Sequence, residues 1–337
     1  MRLLSPLFAL VLLSSCTSAS SGDRANDYQV CLGRCEKTNC APGTTPSFPL
    51  FMRLTLWTCV DDCKYKCMHM VTDFSMESGV PIQQYYGKWP FYRFAGMQEP
   101  ASVLFSFTNL LLHVWGRNEV QRSIADDHPM KPYYMVWSYI SCNAWIWSAV
   151  FHTRDTPLTE KLDYFSAALA ILYSLYFSVV RLFHLYPVRS RTFSHPSGGR
   201  RLYRVWTALT VLVYLAHVAY LGLSPRFDYT YNIIFNLALG LTHNFLWLAF
   251  ALPSSRSLFR RYLGMPKSYR PAHANDAAIA VVLTTAATCL ELFDFAPWRG
   301  IIDAHSLWHL ATAPLAVVWY DFLVTDALDG GWKGTKT

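Results

Sequence analysis

Charge is what this 337-residue chain has least of: Asp, Glu, Lys and Arg together make up 15%, against about 25% in ordinary soluble domains. With that deficit, neither a disordered chain nor a coiled coil is expected, and a soluble two-domain enzyme is disfavoured although the length allows one. The alternation that would mark a β-barrel is missing, as are internal repeats and low-complexity tracts. No CxxC pair occurs, which weighs against a zinc site among the cysteines. What the chain has instead is 53% hydrophobic and 16% aromatic residues. Mean hydropathy is only +0.18, so the apolar residues must be gathered into segments. The formal charge of +7 admits nucleic acid or anionic lipid as a partner. In a membrane protein, however, the placement of basic residues is more informative than their sum.

Met1–Ala19 reads as a secretory signal. Arg2 gives the positive start, Leu3–Leu13 an apolar run of 11, and Thr17-Ser18-Ala19 small residues for cleavage. The run is too short to span a bilayer comfortably. Leu13-Ser14-Ser15-Cys16 also matches a bacterial lipobox, the weaker reading because an anchor is redundant on a polytopic protein. Six of the nine cysteines fall between residues 31 and 67. Such a cluster behind a signal implies an oxidising compartment and disulfides. Cys31 and Cys35 share one helix face, as do Cys59, Cys63 and Cys67. Two antiparallel helices would pair Cys31–Cys67, Cys35–Cys63 and Cys40–Cys59, one of about fifteen possible sets. A zinc site is the rival.

Seven charge-poor segments follow: Pro100–Gly116, Tyr133–Phe151, Tyr164–Val180, Val205–Leu223, Tyr229–Leu252, Ala277–Leu290 and Ser306–Tyr320. With their flanks they approach the 20 or so residues a spanning helix needs, and helices are the way to satisfy their backbone in lipid. The last two are weaker, since Glu291, Asp294 and Asp321 lie near their ends. The expected fold is all-α: a signal at 1–19, a cysteine-rich lumenal domain at 20–99, a seven-helix transmembrane domain at 100–328 and a tail at 329–337. If residue 20 onward is lumenal, the connections alternate, and fourteen Lys and Arg fall on supposed cytosolic loops against four on lumenal ones. That bias predicts a lumenal N-terminus and a cytosolic C-terminus. It also explains much of the basic charge without nucleic acid.

Ionisable groups inside spans are costly and therefore candidates for function. Ser148 and His152 are four apart at the end of the second segment. Asp163 enters the third. His305 and His309, four apart at the start of the seventh, can reach one metal from one helix. The alternating topology puts all five at similar depth. Three histidines with an open fourth position make a catalytic zinc arrangement, with Asp163 to take a proton and Ser148 to hydrogen-bond water or the developing oxyanion. The rivals are a Ser148–His–Asp nucleophilic triad, which aims the serine poorly and leaves His305 and His309 unused, and a structural polar network. Glu291, Asp294 and Asp303 can orient a histidine or contact a headgroup. Asp228 can cap a helix. His113, His217 and His243 read as packed or hydrogen-bonded within the bundle. His69, His128, His184, His195 and His273 show no partner pattern.

Several stretches resemble the post-GPI-attachment lipid-remodelling hydrolases (GPI-specific phospholipase A2-like) of the CREST superfamily, which also holds alkaline ceramidases and the adiponectin/progestin receptors. They are Trp57-Thr-Cys-Val-Asp-Asp-Cys-Lys-Tyr-Lys-Cys67, Gly87-Lys-Trp-Pro-Phe91, Gln98-Glu-Pro-Ala-Ser102, the run from Asn143 to Thr156 and the run from Leu158 to Phe165. Arg226-Phe-Asp-Tyr229, Leu290-Glu-Leu-Phe-Asp-Phe295 and Asp303-Ala-His-Ser-Leu-Trp-His309 complete the set. The resemblance implies a seven-helix hydrolase with Zn2+ on His152, His305 and His309 and with Ser148 and Asp163 in the reaction centre. It implies as substrate the glycerolipid of GPI-anchored proteins, losing its sn-2 acyl chain at an endoplasmic reticulum or Golgi membrane. Neither nucleic acid nor an obligate protein partner is implied. The alternatives are a ceramidase-like amide hydrolase and a non-catalytic seven-helix receptor or GPI cargo escort.

Overall fold

The computed structural model describes residues 20–41, 47–187, 193 and 199–333. The expected signal, with Cys16, therefore lies outside the described residues. Within them the chain is all-helical, with ten α-helices, no named strand and only three isolated β-bridges. It divides into two compact units: residues 1–101 with 294–303, and residues 102–293 with 304–337.

The first unit is built on α1 (Asn26–Asn39), the short α2 (Leu50–Leu54) and α3 (Cys59–Glu77). Thr58 starts α3 with a capping box: its side chain accepts from the Asp61 amide and Asp61 reaches back, satisfying two otherwise unpaired donors. The cysteines pair Cys31–Cys67, Cys35–Cys63 and Cys40–Cys59, the nested order expected of two antiparallel helices. With the sulfurs committed to one another, no thiolate remains for the zinc alternative. Around them Tyr28, Leu32 and Tyr85 form a core too small to hold the unit by burial alone, which is where disulfides contribute most. Arg93 lies over the Trp57 and Tyr65 rings, 4.8 and 4.1 Å from their centroids, and bonds Asp62 at 2.5 Å. Burial pushes the Asp62 carboxyl up, but its bonds to Lys66 and Arg93 outweigh this and hold it below the ordinary carboxylate range.

The second unit carries α4 (Pro100–Ser123, which begins just before it), α5 (Lys131–Thr153), α6 (Pro157–Leu182), α7 (Gly199–Leu223), α8 (Tyr229–Ala251), α9 (Ala274–Glu291) and α10 (Ala304–Leu328). Each predicted charge-poor segment falls on one of these helices. α6 opens on a Thr156–Thr159 capping box with Pro157 in the first turn, and Asp228 caps α8 by accepting from the Tyr231 amide at 2.9 Å, the role expected of it. α5 packs on α6, α9 on α10, and α8 on both α6 and α9. Gly116 lets α4 meet α10: a Cβ there would lie 2.0 Å from the Tyr320 ring.

Four helices, α6, α7, α8 and α10, are long and apolar enough to cross a membrane. α4, α5 and α9 do not reach that mark among the described residues. The reason is visible in α4 and α5: Ser102, Ser106, Asn109, His113, Ser138, Ser141, Ser148 and His152 are polar but buried. They lower the hydropathy of helices whose polar groups face the interior.

A candidate metal centre at one end of the bundle

The early part of α4, the last turn of α5, the last turn of α9 and the first turns of α10 bring their polar side chains together. His152 and His309 are buried, at 2% and 1% exposure, whereas the His305 side chain is 34% exposed. His305 Nε2 lies 3.3 Å from His152 Nε2 and 3.0 Å from His309 Nε2. The three residues form a group in which the candidate ligand atoms all lie within 4.8 Å of one another.

Hydrogen bonding decides what these nitrogens offer. His305 Nδ1 is 2.7 Å from Glu291 Oε2. A carboxylate only accepts, so Nδ1 carries the proton and His305 Nε2 presents a lone pair. The two distances from His305 Nε2, 3.0 and 3.3 Å, are close to the edge of a tetrahedron around a cation bound at about 2.0–2.1 Å. The donor set, all imidazole, suits zinc and its first-row neighbours. The site therefore fits a metal on its own chemistry.

The remaining expected residues are placed as follows. Ser148 is buried on α5, one turn before His152. Asp163 is half-buried on α6, adjacent to Tyr164. Glu291 meets His305, the orienting role foreseen as one option. Asp294 belongs to the first unit, where its carboxylate accepts from Gln84 Nε2 at 3.0 Å and Trp89 Nε1 at 2.6 Å. Asp303 is buried in that same unit. His113 bonds the Tyr320 hydroxyl at 3.0 Å, His243 bonds Asn244 at 3.1 Å, and His217 stacks on Phe235; all three are packed, as anticipated.

Two residues escaped the sequence reading. Ser106 Oγ lies 3.0 Å from both Ser148 Oγ and His309 Nδ1, and Asn109 Nδ2 donates to the His309 carbonyl at 2.7 Å. Their only signal is spacing: Ser102, Ser106, Asn109 and His113 follow one another at four, three and four residues, one helix face. His273 was also passed over. It sits 3.4 Å from Asp326, at the other end of the bundle.

Comparison with known proteins shows the family of the chain. Residues 49–327 match the model of the Per1-like family. A Bos taurus protein named GPI-specific phospholipase A2-like PGAP3 is 39% identical over 95% of this chain and 94% of its own. The Homo sapiens protein of that name is 38% identical over the same shares. A Schizosaccharomyces pombe protein named Protein PER1 homolog is 37% identical over 98% of this chain and 94% of its own. No solved structure matches the chain.

Proposed function

The chain belongs to the Per1-like family, and from that premise we propose that it is a metal-dependent acyl-ester hydrolase that remodels the lipid of GPI-anchored proteins by removing the sn-2 acyl chain. The observation that carries the reading is the convergence of the His152, His305 and His309 ring nitrogens at one end of the bundle. The PGAP3 relatives, named as GPI-specific phospholipase A2-like, supply the substrate class.

In this reading all seven long helices of the second unit span the membrane. The N-terminal unit is lumenal, the C-terminus cytosolic, and the protein resides in the endoplasmic reticulum or Golgi. His152, His305 and His309 hold the ion, with zinc the preferred identity. A bound zinc supplies a Lewis acid for the ester carbonyl and lowers the pKa of water towards 7. Asp163 accepts the proton of the attacking water and returns it to the glycerol oxygen as the acyl C–O bond breaks, giving a fatty acid and a lyso-GPI protein. Ser148 hydrogen-bonds the water or the developing oxyanion. Glu291 holds the His305 ring so that its lone pair stays turned inward. The half-exposed flank of His305 is the side from which a lipid ester enters.

The test uses purified full-length protein in detergent. Divalent metal content and fatty-acid release from a diacyl GPI lipid are measured with and without chelator. One equivalent of metal, with sn-2 fatty acid released, lost on chelation and restored by zinc, is the expected result. Turnover by metal-free protein, or release from an N-acyl sphingoid base in place of the ester, would overturn it.

A further inference from the structure

Ser106 has its proton already committed: it donates to the Ser102 carbonyl, one turn back on α4, at 2.7 Å. A hydroxyl has one proton and two lone pairs. The two other groups at 3.0 Å, His309 Nδ1 and Ser148 Oγ, must therefore donate to Ser106. We infer that Ser106 is the positioning residue that fixes the His309 tautomer and turns the Ser148 lone pairs into the site, coupling the metal centre to the serine through one hydroxyl.

The inference rests on the metal-centre reading above and sharpens it. With the proton on Nδ1, His309 Nε2 presents a lone pair beside those of His305 and His152. With its own proton on Ser106, Ser148 faces the site as an acceptor. It then receives a hydrogen bond from the attacking water, which selects between the two tasks open to it. Ser106 is wholly buried, and Asn109, one turn on, fixes α10 from the same helix through the His309 carbonyl. The hydroxyl is thus held by packing on both sides, the condition for an outer partner to set a ring's orientation.

The isosteric pair Ser106→Thr and Ser106→Val separates the hydroxyl from bulk, because both add the same volume to α4 and only Thr can keep the bond to the Ser102 carbonyl. Zinc affinity is read by chelator competition on purified full-length protein, with kcat and KM on a diacyl GPI lipid at saturating zinc. Ser106→Val is expected to bind zinc about 10- to 100-fold more weakly than Ser106→Thr, the range typical of lost outer partners. At saturating zinc, kcat should fall with KM within about twofold. Equal zinc affinity in the two variants would overturn the inference, as would a Val variant with unchanged kcat. Wild-type protein that takes up no zinc would instead overturn the metal-centre reading. Should the added bulk prevent folding of both, Ser106→Ala against wild type reads the same affinity ratio.

Discussion

Helix α10 carries a buried polar cluster at each end, shared with α5 at one end and with α6 at the other, and the two clusters are solved differently. At one end Arg181 and Asp326, both fully buried, are joined by two bonds of 2.7 and 2.8 Å. Arg181 also donates to the Arg261 carbonyl at 2.8 Å and lies over the Tyr262 and Trp332 rings. Tyr262 donates to Asp326 at 2.7 Å. The Arg181 and Asp326 charges are each other's complement inside the protein. At the other end three imidazoles converge, and Glu291 sits behind His305. The first cluster is an ion pair closed inside the protein; the second gathers imidazole nitrogens of the kind that could hold a cation. Burial of ionisable groups thus does not by itself mark a site. Convergence of ligand atoms of one kind does, and on α10 the 17 residues from His309 to Asp326, roughly 26 Å at 1.5 Å per residue, separate the two cases.

That contrast can be broken from either side. The largest expected effect is on activity: His152→Ala should reduce fatty-acid release to background while leaving expression and detergent-extracted monodispersity unchanged. Assay of the purified variant checks this, and retained turnover would count against the site. Asp326→Ala should do the reverse. It leaves Arg181 buried without its partner, a loss of about 3–5 kcal/mol, seen as poor recovery and a large fall in thermal stability. Replacing the pair together, Arg181→Met with Asp326→Leu, should recover much of that stability, since a buried ion pair is often replaceable by apolar residues. If the double variant were no better than the single, the pair would have a role beyond neutralising itself.

Smaller effects sharpen the comparison. Glu291→Gln keeps the shape but removes the charge behind His305, and zinc affinity should fall about 10-fold, at the low end for outer partners; competition titration reads it. Gly116→Ala forces a methyl into the Tyr320 ring, and overpacking of this kind costs about 1–3 kcal/mol. Its thermal shift should appear with the metal stoichiometry intact. The smallest effect lies in the disulfide-stapled unit. Burial pushes the His69 imidazole below its ordinary 6.5, so the unfolded chain takes up the proton more readily than the folded one. The His69 contribution to stability is complete above about pH 6.5 and is lost as pH falls from there towards the lowered folded value. Hydrogen exchange around residues 65–93 at pH 7.5 and 5.0, corrected for intrinsic rates, should show lower protection in acid. The difference should vanish in His69→Phe.

The legible parts of this chain were those with a period or a fixed spacing. Cysteines four apart identify a helix face, and two such faces admit few pairings, so the nested disulfides could be expected from Cys31 to Cys67. The spacing of His305 and His309 and the alternating topology led to the same three histidines that the fold brings together. Hydropathy was a poorer guide to α4 and α5, because their buried polar side chains count against the helices that carry them. Ser106 gave no signal of its own: a serine on a charge-poor helix is unremarkable until its neighbour across the bundle is known. Arg181, Asp326 and His273 were overlooked because residues at segment ends read as borders with water, whereas the 253–273 connection and the turn at Gly330–Trp332 fold over that end and bury them.

The central claim is that His152, His305 and His309 hold one ion through their Nε2 atoms. X-ray absorption at the zinc edge, on purified protein loaded with one equivalent and compared with His305→Ala, tests it most directly. The account predicts three imidazole nitrogens at about 2.0–2.1 Å in the wild type and loss of one of them, with weakened binding, in the variant. A wild-type spectrum dominated by sulfur, or one unchanged by His305→Ala, would contradict it.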